Sequence, residues 1–424
     1  MARLLLLLPT STYRAPDLLE AARRIGVEIT VASEEKNVLE SRHPAGSLKL
    51  DFEDIESSCR TVLEFSRRYP IDAVLGLDDA TVVAAAAISR ALSLESNSVE
   101  SVEASRNKLL MRRNLRRAGV PSPGFFAFSL QEDPVFAASR VQYPCVLKPT
   151  MLSASQGVIR ADGPEEFVRA FRRIARIIKK LRTSPVILAE AFVPGPEVAV
   201  EGLLEEGRLM VLAIFDKPDP LDGPFFEETI YVRPSRLPRT VQGSVVSCVA
   251  MATKALGLIK GPVHAEVRIS KQGPCIIEVA ARPIGGRCSR ALRSGLGVSL
   301  EELILRQALG VDVPRAKVPW VDPTPSGVMM IPIPKAGTLR DISGTDRARQ
   351  VPGIEDILLS SHRGQTIVPL PEGSRYLGFI IARAKTPEGV EMALRQAHQC
   401  LQFDIEPLPK DSSVPILSEC GESR

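Results

Sequence analysis

Two glutamates in the segment 261–286 have the type and spacing of a metal-binding pair. The segment reads GPVHAEVRISKQGPCIIEVAARPIGG, which is two β-type runs separated by a turn. If the hairpin folds about Gln272, Glu266 lies opposite Glu278. Two carboxylates so placed repel each other unless a divalent cation lies between them. Because Mg²⁺ binds carboxylates together with substrate phosphates, the pair predicts a phosphate substrate, with ATP as the first candidate.

Strand alternation also predicts which side chains accompany the two glutamates. In the first run, one face carries His264, Glu266 and Arg268. In the second run, the side chains expected on one face are Ile276, Glu278, Ala280 and Arg282. The competing interpretation is a solvated hairpin whose two glutamates simply face water, and a different turn would separate the pair. The choice between these interpretations depends on the remainder of the chain.

The composition is that of a globular protein large enough for two or three domains. The chain has 424 residues, of which 44% are hydrophobic and 25% are charged. The net charge of +4 is small for this length and does not predict a nucleic-acid partner. Seven dispersed cysteines without a C-x-x-C pair indicate reduced thiols in the cytosol. Four histidines without H-x-x-x-H spacing argue against a zinc enzyme.

The leucine-rich N-terminus is predicted to be a buried strand. Five leucines follow Arg3, but the run is too short for the apolar core of a signal peptide, and no small-residue cleavage site follows it. The chain contains no run of about 18 apolar residues, so no membrane span is predicted. We therefore expect a cytoplasmic protein without a membrane partner.

Alternating strand and helix patterns in residues 1–100 predict a parallel α/β unit. Strands are expected at 4–8, 27–33 and 71–77, and a helix is expected at 80–92. No G-x-G-x-x-G motif follows the first strand, so the pattern does not support dinucleotide binding.

The remaining patterns predict further strands and helices separated by Pro- and Gly-containing breaks. They are a helix over 101–119, a break at VPSPG (120–124), a strand at 143–149 that ends near Lys148, a helix over 164–181, two strands within 186–204 joined at Pro194 and Gly195, a loop over 215–238, strands at 326–334 and 375–383, and a helix over 386–403 capped by Thr386.

Several of these motifs, in this order, resemble the ATP-grasp carboxylate–amine ligases. The similarity is greatest to their L-amino acid ligase branch, which is related to carbamoyl-phosphate synthetase and biotin carboxylase. The motifs that carry it are SRNKLLMRRNLRRAGVPSP (105–123), VLKPTMLSASQGV (146–158), AEAFVPGPEVAVE (189–201) and the hairpin with its two glutamates. The resemblance covers nearly the whole chain and implies an ATP-grasp fold of the α/β and α+β class.

The resemblance also implies how the chain divides into domains. An N-terminal parallel α/β pre-grasp domain is expected at 1–104, followed by the ATP-grasp domain at 105–320. The lid subdomain of the ATP-grasp domain would occupy about 120–195. A small C-terminal α/β domain would follow at 321–410, and the polar tail 411–424 is expected to be loosely ordered. The oligomeric state stays open, a homodimer included.

Carried over to this sequence, the resemblance implies roles at an ATP site. Lys108 would contact the α-phosphate region, and Lys148 would hold the α- or β-phosphate as a point charge and act in catalysis. Hydroxyl and backbone N–H groups for the β- and γ-phosphates are expected from Ser153, Ser155 and Gly157. The residues expected at the adenosine are Glu190, Phe192 and Val193, around which the backbone would read the purine, and Glu197, which would accept from the ribose hydroxyls.

The same resemblance implies a metal and substrate site. Glu266 and Glu278 would each coordinate Mg²⁺, or Mn²⁺, bridging the ATP phosphates. Arg282 presents a rigid fork that suits a phosphate or a carboxylate, so it is expected to bind substrate and stabilise an acyl phosphate. Further substrate contacts are expected from Lys217, Glu228, Gly285 and Gly286.

Two positions depart from the family pattern. Family members often carry glycines in the phosphate loop where this chain has Leu152 and Ala154, which predicts a stiffer loop. The family usually has an asparagine two residues after the second glutamate, whereas this chain has Ala280, which cannot coordinate a metal.

The function implied by the resemblance is ATP-dependent C–N bond formation. A substrate carboxylate would attack the γ-phosphate of ATP, and an amine would then displace phosphate from the acyl phosphate to form an amide. Small-molecule carboxylates and amines, amino acids among them, are the expected partners. Two alternatives stay open: bicarbonate could serve as the carboxylate, as in carboxylases, or the chain could bind nucleotide without catalysis.

Overall fold

The computed structural model describes residues 2–10, 12–35, 43–296, 298–311 and 324–408. The expected tail at 411–424 and the expected boundary at 320/321 lie outside these residues. No helix within the described ranges is long and apolar enough to cross a membrane. The strands are β1 (Arg3–Leu7), β2 (Glu28–Ser33), β3 (Ser47–Lys49), β4 (Ala73–Gly76), β5 (Phe125–Ser129), β6 (Cys145–Pro149), β7 (Ile159–Ala161), β8 (Val186–Ala191), β9 (Glu197–Glu205), β10 (Arg208–Lys217), β11 (Ile230–Arg233), β12 (Gly261–Ser270), β13 (Gly273–Ala280), β14 (Ser326–Ile331), β15 (Gly337–Ser343), β16 (Ile354–Leu359), β17 (Thr366–Ile367), β18 (Gly378–Arg383) and β19 (Gln402–Glu406).

Helices lie between groups of these strands along the described ranges. They are α1 (Ala15–Ile25), α2 (Ile55–Arg68), α3 (Val82–Ala91), α4 (Val99–Arg106), α5 (Lys108–Arg117), α6 (Pro134–Ala138), α7 (Pro164–Leu181), α8 (Arg239–Leu256), α9 (Cys288–Leu296), α10 (Leu300–Ala308), α11 (Thr345–Arg349) and α12 (Pro387–Cys400).

The N-terminal region forms the predicted parallel α/β unit. Its four-stranded sheet has the order β3-β2-β1-β4, and every pairing within it is parallel. The leucines of β1 have no exposed surface, as expected of a strand that is covered on both faces. Because the carboxyl ends of parallel strands meet at one edge, the segments after β1 and β4 come together there.

A second, antiparallel sheet forms the region expected to be the lid. Its order is β5-β8-β6-β7, and α7 packs against it. The helix α7 has the predicted bounds, because its apolar residues recur at helical spacing and are buried against the sheet. These residues include Phe167, Phe171, Ile174 and Ile178.

The central sheet has eight strands in the order β13-β12-β9-β10-β11-β14-β18-β16. It continues without interruption from the strands of the expected ATP-grasp domain into those of the expected C-terminal domain, because β11 pairs with β14. A separate three-stranded sheet, β17-β15-β19, lies in the C-terminal region. This one sheet therefore carries several of the residues that face the candidate site, among them Glu197, Glu266 and Phe379.

The prediction of one helix over 101–119 is wrong. The structure has two helices, α4 and α5, which are separated at Asn107. The backbone of Asn107 is extended, and its side-chain oxygen accepts hydrogen bonds from the N–H groups of Leu109 and Leu110. Asn107 is thus an N-cap, and asparagine is favoured at that position because it satisfies N–H groups that the helix leaves free. The break places Lys108 in the first turn of α5.

The prediction of a loop over 215–238 holds only for its middle. At the start, β10 continues to Lys217, which pairs with Glu197 of β9. Later, β11 spans Ile230–Arg233 and joins the central sheet. The Pro- and Gly-rich composition therefore marks the connection between these strands, and the apolar and β-branched residues on either side of it form strands.

Candidate active site

The hairpin of β12 and β13 places Glu266 opposite Glu278, as predicted. It does so through a β-bulge. The loop between the strands is two residues long, since Ser270 pairs with Gly273, and an unbroken ladder from that loop would place Ile277 opposite Glu266. The register shifts between Glu266 and Val267, so that Ile277 is the extra residue.

The bulge changes which side chains share a face of β13. Ile276 was expected beside Glu278, but it pairs with Val267 and is buried in the core. Ile277 and Glu278 instead both line the cavity in front of the sheet. On β12 the prediction is confirmed, because His264, Glu266 and Arg268 all line this cavity. The bulge therefore gives the cavity an apolar wall directly beside a carboxylate.

This cavity, of about 910 Å³, collects most of the residues selected from the sequence. The selected residues along its wall are Lys108, Lys148, Ser153, Ser155, Glu190, Phe192, Val193, Glu197, Glu228, Glu266, Glu278, Arg282, Gly285 and Gly286. Lys217 and Gly157 lie outside the wall. Residues that are far apart in the sequence thus converge on one space.

Lys217 lies behind the wall, among three carboxylates. Its Nζ donates to Glu197 at 2.6 Å, to Glu228 at 2.7 Å and to Glu266 at 3.0 Å. Burial would lower the pKa of Lys217, but the three carboxylates raise it well above the usual value, so the ammonium stays charged. Burial and the neighbouring Glu266 raise the pKa of Glu228 to about 7. Lys217 therefore fixes three acidic groups that reach the cavity.

Lys148 is fixed by a buried ion-pair network. Its Nζ lies 2.8 Å from one oxygen of Glu190, and the Nε of Arg112 lies 2.6 Å from the other. Arg112 also donates to the carbonyl of Ile277, at 2.5 Å, in the bulge. Burial alone would raise the pKa of Glu190, but the two cations lower it to about 2. The side chain of Glu190, expected near the adenosine, thus orients Lys148.

Lys108 connects the loop between β6 and β7 to the glutamate pair. Its Nζ donates to the carbonyl of Leu152 at 2.8 Å and to Glu278 at 3.2 Å. Within the loop, Ala154 and Ser155 have φ angles of 52° and 54°, in the left-handed region that glycine favours. The loop therefore keeps a glycine-like shape even though glycine is missing at these positions.

Gly157 differs from its expected role. Its N–H donates to the carbonyl of Pro371 at 2.9 Å and does not face the cavity. Its φ is +73°, and a Cβ atom there would lie 2.8 Å from Cγ of Pro149. The position requires glycine for its backbone conformation and for this close approach.

The segment expected to read the purine forms one end of the cavity. The ring of Phe192 contacts two guanidinium groups, and its centroid lies 4.3 Å from Cζ of Arg160 and 5.2 Å from Cζ of Arg268. Its N–H donates to Pro144, whereas the N–H of Val193 has no partner in the described part of the chain. The carbonyl of Val193 accepts from Arg268 at 2.7 Å. The N–H of Val193 is thus free for a ligand.

The N-terminal region supplies contacts that the sequence did not identify. Asp79, just after β4, accepts a hydrogen bond from Nε of Arg282 at 2.8 Å. Arg14 donates to the carbonyls of Pro283 and Ile284, at 3.2 Å and 2.8 Å. Burial would raise the pKa of Asp79, but Arg282 lowers it, so the pair is ionic. One signal was present in the sequence, since ligand sites in α/β sheets lie beyond the carboxyl ends of parallel strands.

A buried histidine–glutamate pair supports the same region. Nδ1 of His264 lies 3.4 Å from Glu201, which also accepts from the N–H of Ile284 at 3.1 Å. Nε2 of His264 lies 3.7 Å from Glu266. Burial would lower the pKa of His264, but the two glutamates raise it to about 9. The imidazolium therefore connects Glu266 to the loop that follows Arg282.

The carboxylates around the cavity fit a hard divalent cation. Glu266 and Glu278 face the cavity from opposite positions on the hairpin. Oxygens of Glu197, Glu228 and Glu266 also lie within 4.8 Å of one another, but Nζ of Lys217 donates to all three, so this cluster already has a cation. Every one of these donors is a carboxylate oxygen, the ligand type that Mg²⁺ prefers. Ala280 is buried opposite His264 and adds no ligand.

Comparison with known proteins agrees with this geometry. Residues 141–291 match the ATP-grasp domain, residues 19–94 the ATP-grasp N-terminal domain, and residues 329–406 the L-amino acid ligase C-terminal domain 2. The solved L-amino acid ligase from Bacillus licheniformis superposes with a TM-score of 0.79 at 28% identity, over 96% of this chain and 99% of that one.

Two curated relatives from Bacillus subtilis extend the comparison. Alanine–anticapsin ligase is 26% identical over 59% of this chain and 56% of its own length, so the match spans little more than half of that relative. The L-arginine-specific L-amino acid ligase is 20% identical over 75% of this chain and 76% of its own length. The chain therefore contains an ATP-grasp domain and is an ATP-dependent ligase that resembles the L-amino acid ligases.

Proposed function

We propose that this ligase joins the carboxylate of one amino acid to the amino group of another, with release of ADP and phosphate. The observation that carries the proposal is the convergence on one cavity of two lysines, a glutamate pair and Arg282 with the glycines that follow it. The first groups suit the phosphates of ATP, and the last suit a carboxylate next to them. The L-amino acid ligases among the relatives support amino acids as the substrates.

In the proposed reaction, the substrate carboxylate attacks the γ-phosphorus and forms an acyl phosphate. The amine then attacks the acyl carbon, phosphate leaves, and an amide bond results. Lys148 and Lys108 would bind the phosphates of ATP, and their ion pairs with Glu190 and Glu278 hold them at the cavity wall. The protein supplies orientation and charge, which are the main sources of acceleration in phosphoryl transfer.

Arg282 is the residue we assign to the acyl phosphate. Asp79 holds Nε of Arg282, and Nη1 donates to the carbonyl of Pro283 at 3.2 Å. A guanidinium fixed in this way needs no reorganisation as negative charge develops on the transferred group. Gly285 and Gly286 leave room for the substrate backbone beside it.

The glutamates define where a metal would act. Glu266 and Glu278 would hold Mg²⁺, which neutralises phosphate charge when it is bound. Lys217 and His264 keep Glu266 ionised, because they hold its pKa well below the usual value against the effect of burial. Tyr13, Met330, Tyr376 and Phe379 also line the cavity, and they would surround the amino acid side chains.

The cysteines support a reducing compartment for this activity. Cys59, Cys145, Cys248, Cys275, Cys288 and Cys400 are all free thiols. Because disulfides are typical of oxidising compartments, unpaired thiols support the cytosol as the place of action.

The test is the release of ADP and phosphate from Mg-ATP across a panel of paired amino acids. We expect turnover that needs a particular pair, and a fall of at least about 100-fold in Glu278→Gln. Glu95→Gln, at an exposed ion pair with Lys260, is the matched control and should keep full activity. Release that needs only bicarbonate, or that persists unchanged in Glu278→Gln, would contradict the proposal.

A further inference from the structure

The connection between β17 and β18 contacts the phosphate loop directly. The N–H of Gly157 donates to the carbonyl of Pro371 at 2.9 Å. The side-chain amide of Gln156 donates to the backbone carbonyl of Glu372 at 2.6 Å. The loop between β6 and β7 is therefore hydrogen-bonded to a segment that lies more than 200 residues later in the chain.

A bidentate ion pair reinforces this contact from the lid helix. Nε and Nη2 of Arg173, on α7, donate to the two carboxylate oxygens of Glu372 at 2.7 Å and 2.9 Å. The guanidinium also lies over the ring of Phe225, 5.1 Å from its centroid. Two parallel hydrogen bonds fix both direction and distance, which a single charge contact does not do. We call Arg173 and Glu372 the latch.

The latched segment also contributes residues to the wall of the cavity. Ser374, Arg375 and Tyr376 follow Glu372 closely and line the cavity near Phe379. The ring of Tyr376 packs at 6.4 Å from that of Phe379, which stands on β18 of the central sheet. One short segment therefore has its first residues on the phosphate loop and its last residues at the proposed amino acid site.

We propose that Glu372 is a positioning residue that, through Arg173, couples nucleotide binding to the order of the amino acid site. The inference rests on the proposed function, because it takes the loop at 151–158 as the phosphate site. When nucleotide orders that loop, the hydrogen bonds to Pro371 and Glu372 carry this order to the segment with Arg375 and Tyr376, and the latch holds the segment where these bonds can form. Coupling between two sites is reciprocal, so an amino acid bound at Tyr376 favours nucleotide by the same factor.

Such coupling suits a reaction whose intermediate is destroyed by water. An acyl phosphate survives only if the amine site is already formed when the intermediate appears. A loop that closes over ATP independently of the amine site would not secure this. The latch makes closure of the loop over ATP and formation of the amine site a single event. A surface ion pair that only stabilised the fold would leave these two steps independent.

The test uses hydrogen exchange of the full-length protein with the β,γ-imido analogue of ATP and Mg²⁺. The variants are Arg173→Met, Glu372→Gln and the charge-swapped Arg173→Glu/Glu372→Arg. Arg169→Met is the matched control, because Arg169 lies on the same helix in an exposed pair with Glu166. The measured quantity is the analogue-induced slowing of exchange in residues 151–158 and in residues 372–377.

In the wild-type protein and in Arg169→Met, we expect the analogue to slow exchange in both segments. In each single latch variant, we expect slowing to persist in 151–158 and to fall about tenfold in 372–377, which corresponds to about 1.4 kcal/mol. The charge-swapped pair should restore at least part of the analogue-induced slowing in 372–377. If the latch only stabilised the fold, the variants would change exchange in the absence of the analogue. The analogue would then still slow exchange in both segments together.

Two results would overturn the proposal, and they are distinguishable. If both segments remain protected together in the single variants, or if 372–377 never responds to the analogue, the latch does not couple the sites. If the analogue leaves 151–158 unprotected in the wild-type protein, the assignment of that loop to phosphate is itself wrong, and the latch proposal falls with it.

Discussion

Replacing Glu190 by glutamine tests the buried network that holds Lys148. Glu190 is 2% exposed and is the counter-ion of both Arg112 and Lys148. Glutamine keeps the shape of the side chain but removes the charge, so two buried cations lose their counter-ion. Removing one partner of a buried ion pair typically costs about 3–5 kcal/mol of folding free energy.

The pKa of Glu190 gives a second estimate of the same effect. The network lowers the carboxyl pKa from 4.5 to about 2, and such a shift corresponds to about 3 kcal/mol. Because the folded-state pKa is depressed, this stability is present in full above the unfolded pKa of 4.5. This stabilisation is lost as the pH falls toward 2. At pH 3 the loss should be about 2 kcal/mol, which is more than half of the total.

The assay is urea unfolding of the wild-type protein and Glu190→Gln between pH 7 and pH 3. We expect the difference in unfolding free energy between them to be large at pH 7 and to shrink by about 2 kcal/mol at pH 3. Glu132→Gln, in an exposed pair with Arg140, is the control and should cost less than about 1 kcal/mol at either pH. A difference for Glu190→Gln that is below 1 kcal/mol, or that does not change with pH, would refute the reasoning.

Three further substitutions test separate parts of the structure. Asp79→Asn should release Arg282 and lower kcat about 10–100-fold while the KM for ATP changes little. Steady-state measurement of ADP release tests this, and a change in KM alone would contradict it. Ala154→Gly should raise the unfolding free energy by about 0.5–1 kcal/mol by relieving its φ of 52°, and an unchanged or lower value in urea would contradict it. Gly344→Ala should lower the midpoint of thermal unfolding, because its Cβ atom would lie 1.9 Å from the carbonyl oxygen of Cys400, and an unchanged midpoint would contradict the close approach.

The parts of the fold that local spacing decides could be predicted from the sequence. Helix α7 has the bounds read from its apolar period, and β12 presents His264, Glu266 and Arg268 to the cavity as alternation requires. Both results depend on neighbouring residues only, because each element buries one face. The single helix predicted over 101–119 was wrong for a local reason too, since the capping by Asn107 competes with helix continuation.

The partners of the site residues could not be predicted, because they come from distant parts of the chain. Arg282 and Asp79 are 203 residues apart, and the pair exists only because the N-terminal sheet meets the central sheet. Lys217 was expected at the substrate, but its three carboxylates lie on β9, on β12 and in the connection before β11. The order of the strands in the sheet decides which carboxylate faces which cation, and this order cannot be predicted from the spacing of residues in the sequence.

The hairpin shows why the pairing of Glu266 with Glu278 was predicted correctly, whereas the face on which Ile276 lies was not. The sequence suggested a fold about Gln272, which pairs Glu266 with Glu278 by regular alternation. The turn is one residue tighter than such a fold needs. In a regular ladder, Ile277 would lie opposite Glu266, and Glu278 would lie opposite the buried Ala265, on the core face. The bulge at Ile277 absorbs this one-residue difference, and its carbonyl accepts from Arg112, the residue that also holds Glu190. The irregularity in the strand therefore lets one turn serve both Glu278 and the network behind Lys148.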